Sequence, residues 1–214
     1  MTVPQHPKIY HIMDVGQLPS IIADECLWCD AEMVKKNKNN TVIGMNHIKQ
    51  RRLNVLKLDC YPDLYVGSCV PFYFCPRSVM LHTIYKANDP NLRYREGQSA
   101  IIHLEADLNA AIHWANQNKR RWAFTLSNAG SSYFEDRNNI IQLNEINWMA
   151  VEARDWRGEL KEGKQAEFLM EQSFPWHLFE RIGVRSQPVY QQVMSALLDI
   201  AHRPRVEVTP MWYY

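Results

Sequence analysis

Glycine and long apolar runs are scarce in this sequence. The chain has eight glycines in 214 residues and none of the patterns G-x-x-x-x-G-K-[ST], G-x-G-x-x-G, G-x-S-x-G or H-E-x-x-H. Phosphate-loop, Rossmann and serine-hydrolase proteins therefore lose their usual sequence support. No stretch approaches the roughly 18 apolar residues of a transmembrane helix, and Pro4, Pro7 and Lys8 interrupt the amino-terminal segment. We expect a cytoplasmic protein with no membrane contact.

Cysteine is too scarce and too unevenly placed for a disulfide-stapled secreted domain. The cysteines are five, an odd number, and all lie within the first 75 residues of the chain: Cys26, Cys29, Cys60, Cys69 and Cys75. We expect reduced thiols. Cys26 and Cys29 have zinc-knuckle spacing, but a structural zinc site needs four ligands and no second C-x-x-C or H-x-x-x-H pattern follows. Buried structural cysteine is therefore favoured over a metal site.

The rest of the composition is that of an ordinary globular protein. Hydrophobic residues make up 46% and charged residues 22% of the chain, close to globular averages. No Gly/Ser-rich or Pro-rich linker of useful length interrupts it. We therefore expect residues 1–214 to form a single domain.

The net charge of +1 hides a basic segment. Between Lys35 and Lys57 the chain has seven Lys or Arg residues and no Asp or Glu, which gives a local charge of +7. Shorter basic clusters at 93–95 and 119–122 include aromatic residues, a combination that can hold phosphates and stack bases. A charge run is usually a solvated face, but 23 residues without an acid favour a binding function.

Periodicity and capping residues predict short strands dispersed among helices. The predicted strands are 8–13, 70–75, 100–105, 121–126, 165–170, 181–184 and 205–208. The predicted helices are 15–25, 46–58, 79–86, 108–118, 145–153, a short one near Trp176, and 188–201. Regular strand–helix–strand alternation is missing, which favours an α+β domain over a doubly wound sheet.

Three segments combine residues that can carry chemistry. Tyr10-His11-Ile12 places a histidine in the first strand, and residues 72–78 place aromatics before a helix start. Gln165 and Glu167 are two positions apart, on one face of a predicted strand. Taken singly, each has an ordinary structural explanation, such as a core histidine, a core aromatic pair or a surface glutamate.

In this order, the three segments resemble the His-aromatic-Glu framework of ADP-ribosyltransferases. The chain from Ile9 to Tyr214 resembles the DarT family of DNA ADP-ribosyltransferase toxins, in its thymidine-modifying branch. The most specific pieces are Ile9-Tyr-His-Ile12, His47-Ile-Lys-Gln-Arg-Arg52, Val70-Pro-Phe-Tyr-Phe-Cys-Pro-Arg-Ser-Val-Met-Leu81, Lys164-Gln-Ala-Glu-Phe-Leu169 and Phe174-Pro-Trp176. The resemblance implies an α+β ADP-ribosyltransferase-like fold, with a split central β-sheet surrounded by helices.

The resemblance also implies an activity. NAD⁺ would be the co-substrate, nicotinamide would leave, and ADP-ribose would be attached to thymidine in single-stranded DNA, without a metal. The enzyme would be the toxin of a toxin–antitoxin pair, restrained by a macrodomain antitoxin of the DarG type that removes the modification.

Glu167 and Arg51 are the catalytic residues that the resemblance implies. A carboxylate can stabilise the oxocarbenium-like state of a breaking ribosyl bond by accepting the adjacent 2′-hydroxyl and offsetting positive charge. Thymine's ring N–H is a weak acid, so the acceptor also needs a base or a group that stabilises the deprotonated ring. A carboxylate beside a guanidinium can do both.

The remaining predicted site residues divide between donor and acceptor. The residues expected to bind NAD⁺ are His11, Ile12, Met13, Arg51, Phe74, Ser78, Met80 and Tyr85. Packing against the sheet is an equal alternative for Met80 and Tyr85. The residues expected to bind DNA are Lys49, Arg52, Lys57, Asn128, Arg154, Lys164 and Gln165. Asn128 stands roughly where relatives have a histidine, and it can hydrogen-bond a base edge but cannot be a cation.

Two alternatives use the same residues. A non-catalytic single-stranded nucleic-acid binder would show salt-dependent binding without consuming NAD⁺. An ADP-ribosyltransferase that modifies RNA or protein would share the donor site and differ only in the acceptor. Labelling of a thymine-containing oligonucleotide separates all three.

Overall fold

The computed structural model describes residues 2–38, 41 and 43–214 of the chain. Within these residues the strands are β1 (Lys8–Asp14), β2 (Cys26–Trp28), β3 (Cys69–Tyr73), β4 (Ile101–Asp107), β5 (Trp122–Thr125), β6 (Asp136–Arg137), β7 (Glu167–Glu171), β8 (Ser173–Pro175), β9 (Phe179–Val184) and β10 (Arg205–Val208). The helices are α1 (Leu18–Ala23), α2 (Asp30–Lys35), α3 (Asn46–Asn54), α4 (Val79–Lys86), α5 (Leu108–Gln117), α6 (Trp148–Glu152), α7 (Leu160–Gly163) and α8 (Gln187–Ala196). The predicted α+β class is confirmed.

The central sheet has eight strands in the order β10-β9-β4-β1-β3-β7-β5-β6 and is split between β1 and β3. β1 pairs with β4 along its whole length, whereas a single residue pair, Tyr10 with Tyr73, joins β1 to β3. The Pro71 carbonyl oxygen of β3 faces this split and lies 2.8 Å from the His11 ring. Because the N and O atoms of one strand residue face the same neighbour, proline removes no hydrogen bond to β7. The predicted split of the sheet is confirmed.

The larger hydrophobic core covers one face of the sheet. The Phe72 ring packs against Phe174, with 4.5 Å between the ring centroids, and against Phe168 and Phe179 at 6.2 and 6.3 Å. Aromatic pairs at these separations contribute beyond the area that they bury. The cluster fixes the middle of β3 and β7, the strands on one side of the split.

Side chains alternate between the two faces along β7. Phe168 and Met170 belong to the larger core, whereas Leu169 packs in a smaller cluster on the opposite face. Glu167 is two residues from Leu169 and shares its face. The strand register therefore holds this carboxylate on the face away from the larger core.

A glycine sets the position of α3. A Cβ atom on Gly67 would lie 2.8 Å from the backbone N and Cα of Leu53, closer than real Cβ atoms approach. The missing side chain lets α3 pack directly on the turn before β3. Arg52 precedes Leu53, so this contact also fixes where the Arg52 side chain starts.

Most predicted elements are present with shifted ends. The helix predicted over 46–58 ends at Asn54, because the N–H groups of Val55 and Leu56 both bond to the Arg51 carbonyl and close the last turn. The strand predicted from 165 begins at Glu167, because residues 160–163 form α7 and its carbonyls bond to the next N–H groups. The predictions missed β2, β6, β8, α2 and α7, which are too short to show a periodicity.

The structure also describes the thiols and the helix lengths. All five cysteines are free, and Cys29, Cys69 and Cys75 are buried. In the described part of the chain, no three His, Cys, Asp or Glu side chains come together in a way that could hold a metal ion. Over the same residues, no helix has the length and apolar character that a bilayer crossing requires.

Candidate active site

A pocket of about 300 Å³ opens where the sheet splits. Its walls come from both sides of the split, from three helices and from the loop after β5. The lining includes His11, Ile12 and Met13 of β1, Trp28 and Asp30, Lys49 and Arg52 of α3, Tyr73 of β3, Met80 and Thr83 of α4, and Asn128, Gln165 and Glu167.

Glu167 is 2% exposed and is held from several directions. Its Oε2 accepts a hydrogen bond from Arg52 Nη2 at 2.8 Å, and its Oε1 accepts from Arg52 Nη1 at 3.4 Å. Oε1 also accepts from the backbone N–H of Ala129 at 3.2 Å. The backbone N–H of Glu167 donates to Thr125 Oγ1 at 3.0 Å, which anchors the start of β7. The carboxylate is therefore fixed before any ligand enters.

The charges around Glu167 are coupled. Burial by itself would lower the pKa of Arg52, but the charge and hydrogen bonds of Glu167 raise it above its ordinary value. Tyr73 is the register partner of Glu167, and burial together with the Glu167 charge raises the pKa of its hydroxyl. At neutral pH, Arg52 is a cation and Tyr73 is an uncharged hydroxyl.

The arginine beside Glu167 is not the one predicted. Arg51 Nη2 donates to the Ser132 hydroxyl at 3.1 Å, and Arg51 is not among the pocket residues. Successive residues of a helix are rotated by about 100°, so Arg51 and Arg52 cannot both face Glu167. The prediction of the Arg51 guanidinium near Glu167 is wrong. Arg52, predicted to bind DNA, makes that contact instead.

Two side-chain amides form the edge of the pocket next to Glu167. Asn128 Nδ2 donates to Gln165 Oε1 at 3.2 Å, and Asn128 Oδ1 accepts from the Gly130 N–H at 2.7 Å. Gln165 Nε2 donates to the Lys161 carbonyl at 3.2 Å. These contacts fix which way each amide points. Each amide keeps one N–H and one oxygen lone pair for a further partner.

His11 presents an acceptor to the pocket. Its Nδ1 lies 2.8 Å from the Pro71 carbonyl oxygen, and because a carbonyl can only accept, Nδ1 carries the proton. Burial lowers the pKa of His11 below its ordinary value, so the ring is neutral at pH 7. Its Nε2 is therefore left with a lone pair, and the edge of the ring rests on Phe72, with 5.7 Å between the centroids.

The basic segment is largely neutralised by acids from outside it. Four of its seven cations form ion pairs: Lys35 with Glu32, Lys38 with Asp24, Lys49 with Asp30, and Arg52 with Glu167. The predicted patch of charge +7 is therefore corrected, because the fold brings acids that the window itself lacks. Lys49 and Asp30, 2.8 Å apart, both line the pocket. Positions 39, 40 and 42 of the segment lie outside the described residues.

Besides Arg51, three further residues predicted to bind NAD⁺ lie outside the pocket lining. Phe74 is buried, with its ring 5.5 Å from Trp148, and belongs to the larger core. Ser78 is fully buried, and its hydroxyl caps α4 by accepting a backbone N–H at 3.1 Å. Tyr85 is 47% exposed on another face of α4 and stacks on Tyr214. The predicted direct ligand contacts of Phe74 and Ser78 are corrected to structural positions, because both side chains are buried away from the pocket, whereas that of the exposed Tyr85 stays a prediction.

Only some of the residues predicted to bind DNA lie in the pocket. Lys49, Asn128 and Gln165 lie in the pocket. Lys57 lies outside it, with its ammonium over the Tyr65 ring at 4.9 Å, and Arg154 is an exposed residue. Lys164 is 3% exposed and donates to two backbone carbonyl oxygens at 2.6 and 2.8 Å. A phosphate cannot reach a buried ammonium, so the predicted DNA contact of Lys164 is wrong.

The polar pocket residues that were not predicted include Asp30, Tyr73 and Thr83. Tyr73 had a usable signal, since it alternates with the core residues Phe72 and Phe74 and must face the other side of the sheet. Asp30 and Thr83 had none, because their partners are distant in the sequence.

This arrangement suits a ribosyl transfer. A carboxylate beside a fixed guanidinium can stabilise positive charge that develops on a sugar and can attract a proton from a weak acid. Lys49 and Arg52 supply cations for a diphosphate, and Asp30 and His11 supply acceptors for hydroxyl groups. The donor set therefore fits a dinucleotide.

Comparisons with known proteins agree with this chemistry. The family model described as "ssDNA thymidine ADP-ribosyltransferase, DarT" matches residues 10–214. A curated relative, the DNA ADP-ribosyl transferase of Thermus sp. (strain 2.9), is 36% identical over 217 residues, covering 100% of this chain and 99% of its own.

Solved structures match over the same extent. Thermus sp. 2.9 DarT in complex with ADP-ribosylated ssDNA superposes with a TM-score of 0.89 at 33% identity, covering 100% of this chain and 99% of that chain. Thermus sp. 2.9 DarT in complex with NAD⁺ gives a TM-score of 0.84 at 32% identity, covering 100% of both.

Proposed function

Because this chain belongs to the DarT family of single-stranded DNA thymidine ADP-ribosyltransferases, we propose how its own residues carry out the reaction of that family. The reaction is the NAD⁺-dependent transfer of ADP-ribose to thymidine in single-stranded DNA. The observation that carries the assignment of residues is the buried Glu167–Arg52 pair at the wall of the pocket.

The donor half of the site lies between β1, α3 and α4. When bound, NAD⁺ supplies an ADP-ribosyl group whose bond to nicotinamide breaks through an oxocarbenium-like state. The ammonium of Lys49 would leave Asp30 and bind the diphosphate of NAD⁺. The Nε2 atom of His11 would accept a hydrogen bond from a ribose hydroxyl. Ile12, Met13 and Met80 provide apolar surface for the rings. The contacts at Asp30 and His11 Nδ1 hold these groups in place beforehand.

Glu167 acts on the sugar and on the acceptor base. Its carboxylate accepts the hydroxyl next to the reacting carbon and offsets the positive charge that develops there. It also attracts the proton of the thymine ring N–H as the new bond to ribose forms. Arg52 orients the carboxylate through two hydrogen bonds, at 2.8 and 3.4 Å.

Asn128 and Gln165 read the acceptor. Thymine presents a ring N–H between two carbonyl oxygens, and an amide that keeps one donor and one acceptor can match part of this edge. The pair lies beside Glu167, and Ala129, the neighbour of Asn128, donates its backbone N–H to the Glu167 carboxylate. The loop after β5 therefore contacts both the acceptor base, through Asn128, and the Glu167 carboxylate, through Ala129.

The alternatives from the sequence are set aside on different grounds. Membership of an enzyme family excludes a purely non-catalytic binder. RNA or protein as acceptor does not agree with the family's description as acting on single-stranded DNA thymidine.

The test is mass spectrometry of an oligonucleotide with one thymine after incubation with NAD⁺ and the protein, in the presence of EDTA. We expect one ADP-ribose on the thymine of the single strand and far less on the same strand annealed to its complement, because pairing occupies the ring N–H. A matched oligonucleotide with cytosine in place of thymine is the control. Equal labelling of duplex and single strand would contradict the proposal, and loss of labelling with EDTA would contradict its metal-free chemistry.

We further propose that the protein is a toxin that a macrodomain antitoxin of the DarG type restrains by removing the ADP-ribose. We place the reaction in the cytoplasm, where DNA, NAD⁺ and reducing conditions coincide; the five free cysteines support such a compartment. Growth of cells that express the protein alone or with a macrodomain hydrolase tests the toxicity and its reversal. Rescue by the active hydrolase, and not by a catalytically dead one, is the expected result.

A further inference from the structure

Four aromatic side chains outside the pocket pack together beside α4. His82, Tyr85, Trp156 and Tyr214 form this group, called here the aromatic flank. The His82 ring centroid lies 5.1 Å from that of Trp156 and 4.9 Å from that of Tyr214, and Tyr85 stacks on Tyr214 at 6.1 Å. Trp156 Nε1 donates to the Tyr214 hydroxyl at 3.0 Å. None of the four is fully buried, and Tyr85 is 47% exposed.

Two cations lie over the rings of the flank. The Arg77 guanidinium is 4.3 Å from the Tyr214 ring centroid, and the Lys86 ammonium is 5.3 Å from that of Tyr85. The Nε atom of Arg77 is buried and has no hydrogen-bond partner among the described residues. Aromatic faces interleaved with cations that can reach phosphates are the usual composition of single-strand binding surfaces.

The flank borders the active-site pocket. Val79, Met80 and Thr83 of α4 line the pocket, and His82 and Tyr85 lie on the adjoining face of the same helix. Trp156 belongs to the segment between α6 and α7, which leads to the pocket residue Gln165. The flank is thus joined to the pocket through α4 and through the chain segment that carries the acceptor amide.

We propose that the aromatic flank is an accessory binding surface for single-stranded DNA that holds nucleotides flanking the modified thymidine. This inference rests on the proposed function, since it takes the acceptor to be a DNA single strand. Bases stack on Tyr85 and Trp156, and Arg77 and Lys86 contact the backbone phosphates. An open surface of this kind suits a strand that continues out of the pocket better than it suits one end of a dinucleotide, which binds in an enclosed site.

The test compares two acceptors, a thymine-centred trinucleotide and an oligonucleotide of about twelve nucleotides with the same centre. In the wild type, the longer strand should have the lower KM. Tyr85→Ala should raise the KM for the longer strand by roughly 5- to 100-fold, the effect of losing one stacked base, and leave the two acceptors nearly equal. Arg77→Gln should make the slope of log binding constant against log salt concentration shallower by about 0.7, the value for one lost phosphate contact on a single strand.

Trp156→Phe, which keeps an aromatic face, should retain most of the length advantage that Trp156→Ala loses.

His113→Ala and Arg203→Gln are matched controls, because they remove an exposed ring and an exposed cation elsewhere on the surface. Oligonucleotides extended on one side only identify the flank of the strand that the surface holds. A Tyr85→Ala variant that keeps the full length advantage, or that loses affinity for NAD⁺ instead, would overturn the proposal. Labelling of the trinucleotide by the wild type tests the proposed function separately, so the two can fail independently.

Discussion

Glu167 and Arg52 form a buried ion pair, and the energetics of that pair govern what substitutions at the site will do. Taking two charges out of water costs several kcal/mol per ion, which their attraction offsets only when the geometry is good. The hydrogen bonds at 2.8 and 3.4 Å provide such geometry. Removing one partner alone leaves an uncompensated charge, at a cost of about 3–5 kcal/mol. Every variant here must therefore be measured for folding as well as for turnover.

Lysine substitutions separate the two neighbouring arginines. Arg52→Lys keeps the charge but loses the two-point contact with Glu167, so we expect kcat to fall by about 10²-fold or more. Arg51→Lys changes a side chain bonded to Ser132 outside the pocket, and kcat should stay within several-fold of wild type. Steady-state labelling of single-stranded DNA, with thermal melts of both variants, is the measurement. A larger loss for Arg51→Lys would reverse the assignment.

The site residues could be predicted from the sequence only in part. Glu167, His11, Asn128 and Gln165, each named from an ordered motif, lie in the pocket. The choice between Arg51 and Arg52 failed because α3 has only two apolar residues, Ile48 and Leu53, which are too few to indicate which face is turned inward. Lys164 failed because burial of a lysine depends on carbonyl groups supplied by the fold.

His103 gives a stability prediction with a definite pH window. It is fully buried, its Nε2 contacts the Pro76 carbonyl at 2.9 Å, and burial lowers its pKa from 6.5 to about 4. Below pH 6.5 the His103 ring takes up a proton in the unfolded chain, whereas in the folded chain it stays neutral until the pH approaches 4. Stability is therefore present above pH 6.5 and falls by up to about 3 kcal/mol as the pH drops to 4.

Thermal melts between pH 7 and pH 4 measure this loss. The His103→Gln side chain cannot titrate and can still donate to the carbonyl. In this variant, the loss of folding stability between pH 6.5 and pH 4 should be smaller by about 3 kcal/mol. An unchanged pH profile in the variant would contradict the prediction.

Among the elements, the split between β1 and β3 positions the pocket, and one residue in the sequence bears on it. Pro71 interrupts an apolar strand, and proline is tolerated within a sheet only where no ladder bond is lost. The strands and longer helices could be predicted because they carry clear periodicities and caps. In contrast, β2 and α2, which place Trp28 and Asp30 in the pocket, are too short to show a periodicity, and β2 depends on pairing with β8.

The contact between α3 and Gly67 is testable by adding one methyl group. Gly67→Ala places a Cβ 2.8 Å from the backbone of Leu53, so α3 must move. We expect a loss of roughly 1–3 kcal/mol in stability, measured by denaturant unfolding, and a fall in kcat as Arg52 shifts. Gly44→Ala is the stability control, because nothing lies within 4 Å of its added Cβ. Equal stability of the two variants would show that α3 does not depend on this contact.

At the scale of the molecule, both ends of the chain join the same sheet. β1 lies at its centre and β10 at its edge, and the Tyr213 hydroxyl lies 2.9 and 3.1 Å from the carbonyl oxygens of Ile101 and Gly183. We propose on this basis that residues 1–214 form one domain. A sheet that interleaves the two ends leaves no half that could keep its core alone.

Unfolding should accordingly be a single cooperative transition. Denaturant midpoints followed by tryptophan fluorescence and by far-ultraviolet circular dichroism should coincide, and a binding-site probe should report the same midpoint. Two separated transitions would indicate two folding units and would contradict the proposal of one domain.

The most direct test of the central claim is made on Glu167→Gln, which removes the charge and keeps the shape. Mass spectrometry of a thymine-containing single strand incubated with NAD⁺ should show the ADP-ribose adduct with the wild type. With the variant, the rate of adduct formation should fall by about 10²–10⁴-fold, while NAD⁺ and DNA still bind and the fold is retained. Adduct formation by a folded Glu167→Gln variant at a rate near that of the wild type would contradict the assignment of Glu167 as the residue that carries the transfer.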